Sequence, residues 1–305
     1  MTRPIMFRWV LRVFLAPLVL IGVAFWVRPV SFYRVYSELH MRLEGAQSHF
    51  TTIDGFCIHY YSLGPENGPV ALMVHGLGGR SEDWQNLAPF LVKAGYRVYL
   101  PDLLGHGRSA RPSNFSYSVP DQALMVVDFI HSLGLKQVDL GGWSMGGWIA
   151  QRIAGEHPDM VRRLMLFDSA GINETPAWDT RLFTPATAEE LSRFDSLLFP
   201  HPLKLPAFVS ADVLRITRRN AWVIQRTIHS MRLGNDATNA LLPGLKMPVL
   251  IVWGAEDHIM PLSQGEKIHS LVRESRLEII PGCGHLAPMQ CAGQIGPKVV
   301  EFVKQ

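Results

Sequence analysis

The sequence predicts an α/β protein: a mostly parallel central sheet with helices on both faces. Three observations carry this. Apolar runs at Val70–His75, Arg97–Leu100, Val138–Trp143 and Leu164–Phe167 alternate with amphipathic helical patterns, as parallel strands joined by crossover helices require. The alternation breaks over residues 172–242, where Pro176, Pro185, Pro200, Pro202 and Pro206 interrupt short pieces rich in Leu and Phe. It then resumes with strands Pro248–Trp253 and Leu277–Ile280. The break therefore reads as an inserted, largely helical cap.

The elements follow in order. Phe50–Ile53 and Phe56–Tyr61 form a hairpin across the two-residue turn Asp54-Gly55. A helix starts near Asn86, tolerates Pro89 in its first turn, buries Leu87, Leu91 and Ala94, and stops at Gly95. Pro120 opens a helix with Ala123, Val126, Val127, Ile130 and Leu133 on one face and Gly134 as its stop. A helix carrying Ile149, Ala150, Ile153 and Ala154 ends at Pro158. A helix over Ser263–Leu271 and a closing helix with Ile295, Val299 and Phe302 complete the chain.

Composition bounds the function classes. The 305 residues suffice for one large α/β domain plus an insertion, and 48% hydrophobic against 18% charged residues describes a core-forming chain. A net charge of +3 with no Lys- or Arg-rich run is too small and too dispersed to suggest a nucleic-acid partner, and none is expected. Cys57, Cys283 and Cys291 lack metal-ligand spacing; their odd number argues against a disulfide framework but leaves one bridge open.

Trp9–Val27 is apolar apart from Arg12. Its uninterrupted part is short for a span of about 20 residues, and Arg12 can extend it by snorkelling. Trp9 on one side and Trp26, Phe32, Tyr33 and Tyr36 on the other match interfacial belts. Two readings lead, an uncleaved membrane anchor or a signal peptide with Gly22 and Ala24 as the small residues before the cut, and a monotopic or buried helix is the third. Both leading readings export the rest of the chain. Arg3, Arg8 and Arg12 favour an inside amino terminus, and Arg28, Arg34 and Arg42 oppose it. We thus expect an anchor and juxtamembrane connector over 1–48, the connector lying near headgroups, and a catalytic domain over 49–305.

The chemistry centres on Gly142-Trp143-Ser144-Met145-Gly146, between an apolar strand and a helix. This is the G-x-S-x-G nucleophile elbow, whose serine backbone is strained and whose glycines let strand and helix pass closely. A serine hydroxyl needs a base, and the base needs an acid to fix its tautomer. Asp257 follows strand Pro248–Trp253, and His285 follows strand Leu277–Ile280, so both can converge on Ser144. Asp168, after the strand ending at Phe167, is the alternative acid. Two backbone N–H groups would form the oxyanion hole: Met145, after the nucleophile, and Leu77, in His75-Gly76-Leu77-Gly78-Gly79. His75 reads as a brace for that loop, His106 as pinning its own loop with Asp102, Arg108 and Ser109, and Cys283 as lining or packing.

These motifs together resemble the α/β-hydrolase superfamily over residues 50–305. More narrowly, the amino-terminal segment, Ser169-Ala170-Gly171, Thr184-Pro185, Glu189-Glu190-Leu191 and Gly282-Cys283-Gly284-His285 resemble the membrane-anchored monoacylglycerol lipases and related bacterial lipases and esterases. The resemblance implies ester hydrolysis through an acyl-serine, with no metal and no cofactor. The expectation is a membrane-associated serine carboxylic-ester hydrolase for lipid-like esters, with no obligate protein partner. A C–C bond hydrolase of aromatic degradation uses the same triad, and a non-catalytic binding protein on this fold is the reading from another class.

Overall fold

A computed structural model describes residues 17–173, 179–233 and 236–305. Eight strands form one sheet in the order β1-β2-β4-β3-β5-β6-β7-β8. They are β1 (Gln47–Ile53), β2 (Phe56–Leu63), β3 (Val70–Val74), β4 (Arg97–Pro101), β5 (Val138–Trp143), β6 (Val161–Phe167), β7 (Val249–Gly254) and β8 (Ser275–Ile280). Only the β1–β2 and β2–β4 pairings are antiparallel; every other pairing is parallel, as expected. Asp54 and Gly55 both take positive φ, the backbone that a two-residue hairpin turn of matching twist needs.

The strand pleat divides the core in two. Leu72, Val74, Leu140, Leu166 and Ile251 face one side, and Ala71, Met73, Met165, Leu250 and Val252 the other. Helices α4 (Val119–Ser132), α5 (Met145–Glu156) and α8 (Leu262–Leu271) cover the first face. Helices α3 (Ala88–Lys93) and α10 (Ala292–Val303) cover the second. A short helix α9 (Ala287–Gln290) joins β8 to α10. The α3 helix starts at Ala88, two residues past Asn86, and a 3-10 turn at Ser81–Trp84 precedes it.

Between β6 and β7 lie a 3-10 turn (Thr180–Phe183), α6 (Ala188–Leu198) and α7 (Ala207–Leu233). The cap is helical as expected, yet α7 runs 27 residues where the sequence suggested short pieces. No proline falls between Pro206 and Pro243, so nothing interrupts the helix once it has begun. Pro176 and Trp178 lie outside the described residues.

The amino-terminal segment is described from Pro17 onwards. Trp9–Ala16 lies outside the described residues; the remainder is α1 (Pro17–Val27), which rises only about 16 Å. Among the described residues no single helix is long and apolar enough to cross a membrane; α1 and α2 (Pro29–Leu43) have the length and apolarity together but meet at 103°. Pro29 at the start of α2 accounts for the corner, since it cannot donate to a continuing helix. The expected connector is thus a helix, and it docks on protein. Trp26 stacks on Phe208 of α7 at 4.2 Å, Val30 N–H donates to Asp212 (3.1 Å), and Glu38 pairs with Arg108 (2.7 Å). Along α1, Leu18, Val19, Leu20 and Ile21 are exposed.

Candidate active site

The elbow is built from close backbone contacts. Ser144 stands between β5 and α5 at φ 55°, ψ −121°, a region that side-chain-bearing residues occupy only under constraint. A Cβ on Gly142 would fall 2.1 Å from the Gly146 carbonyl oxygen, and one on Gly146 would fall 2.2 Å from that of Val74. Only glycine fits either position, which is the physical content of the pentapeptide.

Asp257 and His285 leave consecutive parallel strands and meet at the elbow. The His285 Nδ1–H donates to Asp257 Oδ2 at 2.8 Å, which leaves Nε2 to accept the Ser144 hydroxyl at 3.0 Å. All three residues are buried. Asp257 is held in turn by its other oxygen, which accepts N–H groups from Ile259 and Met260, each at 2.8 Å. Asp168 sits beside this chain but does not bond His285; its Oδ1 accepts the Gly254 N–H at 2.7 Å. Burial and the Asp257 carboxylate push the Asp168 carboxyl well above the ordinary range.

Met145 opens α5, where a backbone N–H has no helical acceptor and points outward. The loop carrying Leu77 approaches from the other side, since a Cβ on Gly76 would lie 3.1 Å from Ser144 Cβ. His75 ties that loop down. Its Nδ1–H donates to the Gly76 carbonyl (2.8 Å) while Nε2 accepts Leu103 N–H (3.0 Å), and burial lowers its pKa.

Three features escaped the sequence. The Trp143 indole N–H donates to the His285 carbonyl at 2.8 Å, fixing the histidine's backbone from the residue before the nucleophile. That position is variable in the motif, so no signal announced it. Cys283 is disulfide-bonded to Cys291, which corrects its reading as mere lining or packing and ties the His285 loop to the start of α10. The loop after β4 is pinned by Asp102, His106, Arg108 and Ser109, as read from the sequence, but with a further partner the sequence did not reveal. Asp102 binds His59 Nδ1–H (2.8 Å) and the backbone N–H groups of Ser81 and Arg108, while His106 donates to the Leu104 carbonyl. The partner comes from β2, which is distant in sequence but hydrogen-bonded to β4.

A buried serine, histidine and aspartate in one hydrogen-bonded chain, beside a helix N-terminus and a glycine loop, can perform nucleophilic acyl transfer. Among the described residues no group of three or more His, Cys, Asp and Glu side chains could hold a metal ion.

Known proteins bear the same stamp. The alpha/beta hydrolase family model matches residues 71–295. Monoacylglycerol lipase abhd6-B of Xenopus laevis is 27% identical over 316 aligned residues, covering 95% of this chain and 91% of the relative. The 2-hydroxymuconate semialdehyde hydrolase of Pseudomonas sp. (strain CF600) is 29% identical over 77% of this chain and 86% of its own. The crystal structure of a membrane phospholipase A, a bacterial virulence factor, superposes with TM-score 0.82 at 27% identity over 97% of this chain and 98% of that one. The sheet order, the elbow and the matched span lead to one statement: this hydrolase chain belongs to the alpha/beta hydrolase family.

Proposed function

We propose that the protein is a serine carboxylic-ester hydrolase acting on lipid-like or acylglycerol esters at a membrane. The observation that carries this is the bonded chain from Ser144 through His285 to Asp257. Ser144 attacks the ester carbonyl while His285 Nε2 takes its proton; Asp257 stabilises the imidazolium. The Leu77 and Met145 N–H groups receive the oxyanion, each contributing roughly a hundred- to a thousandfold in rate. His285 then returns the proton to the leaving alcohol, and water, deprotonated by the same histidine, releases the acid.

The membrane reading is supported by the uncovered apolar side chains of α1 and by the packing of α1 and α2 on the cap. The amino-terminal segment anchors the chain, and residues 49–305 form the catalytic domain. The Cys283–Cys291 bridge suits an oxidising compartment, consistent with a domain on the extracytoplasmic side. Likeness to a C–C hydrolase supports a second reading, in which the same serine acts on a vinylogous diketone.

Hydrolysis of p-nitrophenyl esters and monoacylglycerols across chain lengths, alongside a vinylogous diketone, separates the two. Esters are expected to turn over and the diketone not. Wild-type rates in Ser144→Ala would sink the mechanism.

A further inference from the structure

The loop that carries His285 reads Gly282-Cys283-Gly284-His285 and is soft by sequence. Gly282 takes φ 72°, the left-handed backbone that favours glycine. Gly284 is compelled by the cap: a Cβ there would fall 2.7 Å from the Leu198 carbonyl oxygen and 2.8 Å from Pro200 Cδ, at the end of α6. Two glycines within three residues of the base give the chain a freedom that catalysis cannot use. A misplacement of about 1 Å can cost about a hundredfold in rate.

Three restraints oppose that freedom. Two act at Cys283: its bridge to Cys291, and the Glu256 N–H, which donates to its carbonyl at 2.9 Å. The third acts at His285 itself. The Trp143 indole N–H meets the His285 carbonyl at 2.8 Å, and the two ring centroids lie 5.6 Å apart. Among the described residues no backbone N–H is donated to that carbonyl.

Trp143 also reaches the remaining part of the site. A Cβ on Gly76 would lie 3.3 Å from Trp143 Cε3 and 3.1 Å from Ser144 Cβ, so the indole packs beside the loop that carries Leu77. Its backbone leads directly into Ser144. One buried side chain thus adjoins the nucleophile, the loop of the base and the glycine loop.

We propose that Trp143 is a positioning residue, whose indole N–H sets the reach of His285 Nε2 to the Ser144 hydroxyl and to the departing alcohol. The proposal rests on the ester-hydrolase reading and adds a residue that acts on the reaction only through His285. Asp257 fixes the tautomer and tilt of the ring; Trp143 fixes the main chain from which the ring hangs. Releasing that carbonyl slackens two proton transfers, from Ser144 during attack and to the alkoxide during departure. A p-nitrophenolate leaves without a proton, so its esters need only the first transfer to form the acyl-enzyme.

Trp143→Phe keeps a buried aromatic ring and deletes the donor. p-Nitrophenyl decanoate and monodecanoylglycerol share an acyl chain and separate the two transfers. In the full chain kcat/KM should fall about tenfold on the first and about a hundredfold on the second, part of the roughly hundred- to ten-thousandfold that general acid–base catalysis supplies. On a Ser144→Ala background the same change should leave monodecanoylglycerol affinity within about twofold, as for an interaction made outside ground-state binding. Trp84→Phe is the matched control. Trp84 is also buried, packs on Phe167, and its indole N–H has no partner among the described residues, so both rates should stay within about twofold.

Wild-type rates in Trp143→Phe, or equal falls on the two esters, would overturn the proposal; equal falls would assign Trp143 to packing. If the variant fails to fold, benzothienylalanine placed at position 143 keeps the ring shape and replaces N–H by sulfur, and the same outcomes decide. Fluorophosphonate labelling of Ser144 is scored separately, because it needs the His285 base but no ester. Labelling should slow about tenfold in Trp143→Phe, and an unchanged labelling rate would count against the proposal. A wild-type chain that is labelled yet turns over neither ester would end the ester reading and leave the labelling rate to decide this one.

Discussion

Two Ser–His–Asp chains with the same bonding pattern lie among the described residues. In one, Ser144 bonds His285 Nε2 at 3.0 Å and His285 Nδ1 bonds Asp257 at 2.8 Å. In the other, Ser48 bonds His59 Nε2 at 2.9 Å and His59 Nδ1 bonds Asp102 at 2.8 Å. Distances do not separate them; surroundings do. Ser144 sits at positive φ on a strand-to-helix turn, with a helix N-terminus beginning at the next residue and a glycine loop against its Cβ. Ser48 lies in an ordinary extended strand, paired with Tyr61 across the hairpin, with no helix start beside it.

The acids differ as well. Asp257 accepts backbone N–H groups from its own turn, at Ile259 and Met260, which leaves its other oxygen to hold His285. Asp102 gathers the Ser81 and Arg108 N–H groups from separate loops, and its Cγ sits where a Cβ on Gly107 would fall. Burial raises the Asp102 pKa, but the His59 hydrogen bond, the His75 charge and the Arg108 N–H outweigh it and hold the carboxyl well below its usual range. We read the Asp102 set as a structural clasp joining β2, β4 and the loop that follows β4. A hydrogen-bonded triad becomes a nucleophile only where strain exposes the serine and backbone donors await the oxyanion.

The sharpest test of that contrast is the serine pair. Ser144→Ala should lose on the order of a millionfold in kcat, whereas Ser48→Ala should change esterase rates by less than about twofold. A fluorophosphonate probe should label Ser144 alone; labelling at Ser48 would break the comparison. The acids come next. Asp257→Asn should cost about ten-thousandfold in kcat by releasing the wrong His285 tautomer. Asp102→Asn should instead lower unfolding free energy by about 1–3 kcal/mol, the scale of a compromised buried hydrogen-bond network, with kcat nearly unchanged. Urea melts and ester kinetics on both variants read the difference.

Asp168 sharpens the point from beside the first chain. Its folded pKa is raised, so its contribution to stability is complete below the unfolded value of 3.8 and is lost as pH rises towards the folded one. Asp168→Asn should keep near wild-type activity and should gain stability relative to wild type as pH rises above 4. Activity falling as far as in Asp257→Asn would make Asp168 the working acid. The last effect falls on His106 and touches stability but not catalysis: burial foremost, then the charge of His75, pushes its pKa down to about 3 from 6.5. The sign is opposite: the neutral ring's stability is full above pH 6.5 and drains between 6.5 and 3, by up to about 1.4 kcal/mol per pH unit. His106→Asn should flatten urea-midpoint profiles across that window.

Legibility followed sequence distance and backbone demand. The elbow was readable because Gly142 and Gly146 are compelled by contacts of about 2 Å, and such compulsion leaves a fixed residue type. Asp257 and His285 were readable because parallel strands deliver loop residues to one edge of a sheet. The Trp143–His285 bond, the His59–Asp102 pair and the Cys283–Cys291 bridge join segments whose proximity depends on packing. No local pattern encodes them. The α2 helix was missed because its aromatic and basic residues match an interfacial connector; its buried face, Ser37 and Met41, is too sparse to reveal a docked helix.

The sequence by itself determined the alternating α/β order, the break that became the cap, the elbow, and the loops bearing Asp257 and His285. These are consequences of periodicity and of backbone geometry that only certain residues satisfy. Tertiary structure alone decided which carboxylate faces His285, which of two Ser–His–Asp chains adjoins a helix N-terminus and a glycine loop, and that helices 29–43 and 207–233 close around four arginines. Those outcomes depend on where separate elements come to rest against one another, and side-chain electrostatics acts only across the distances that packing sets.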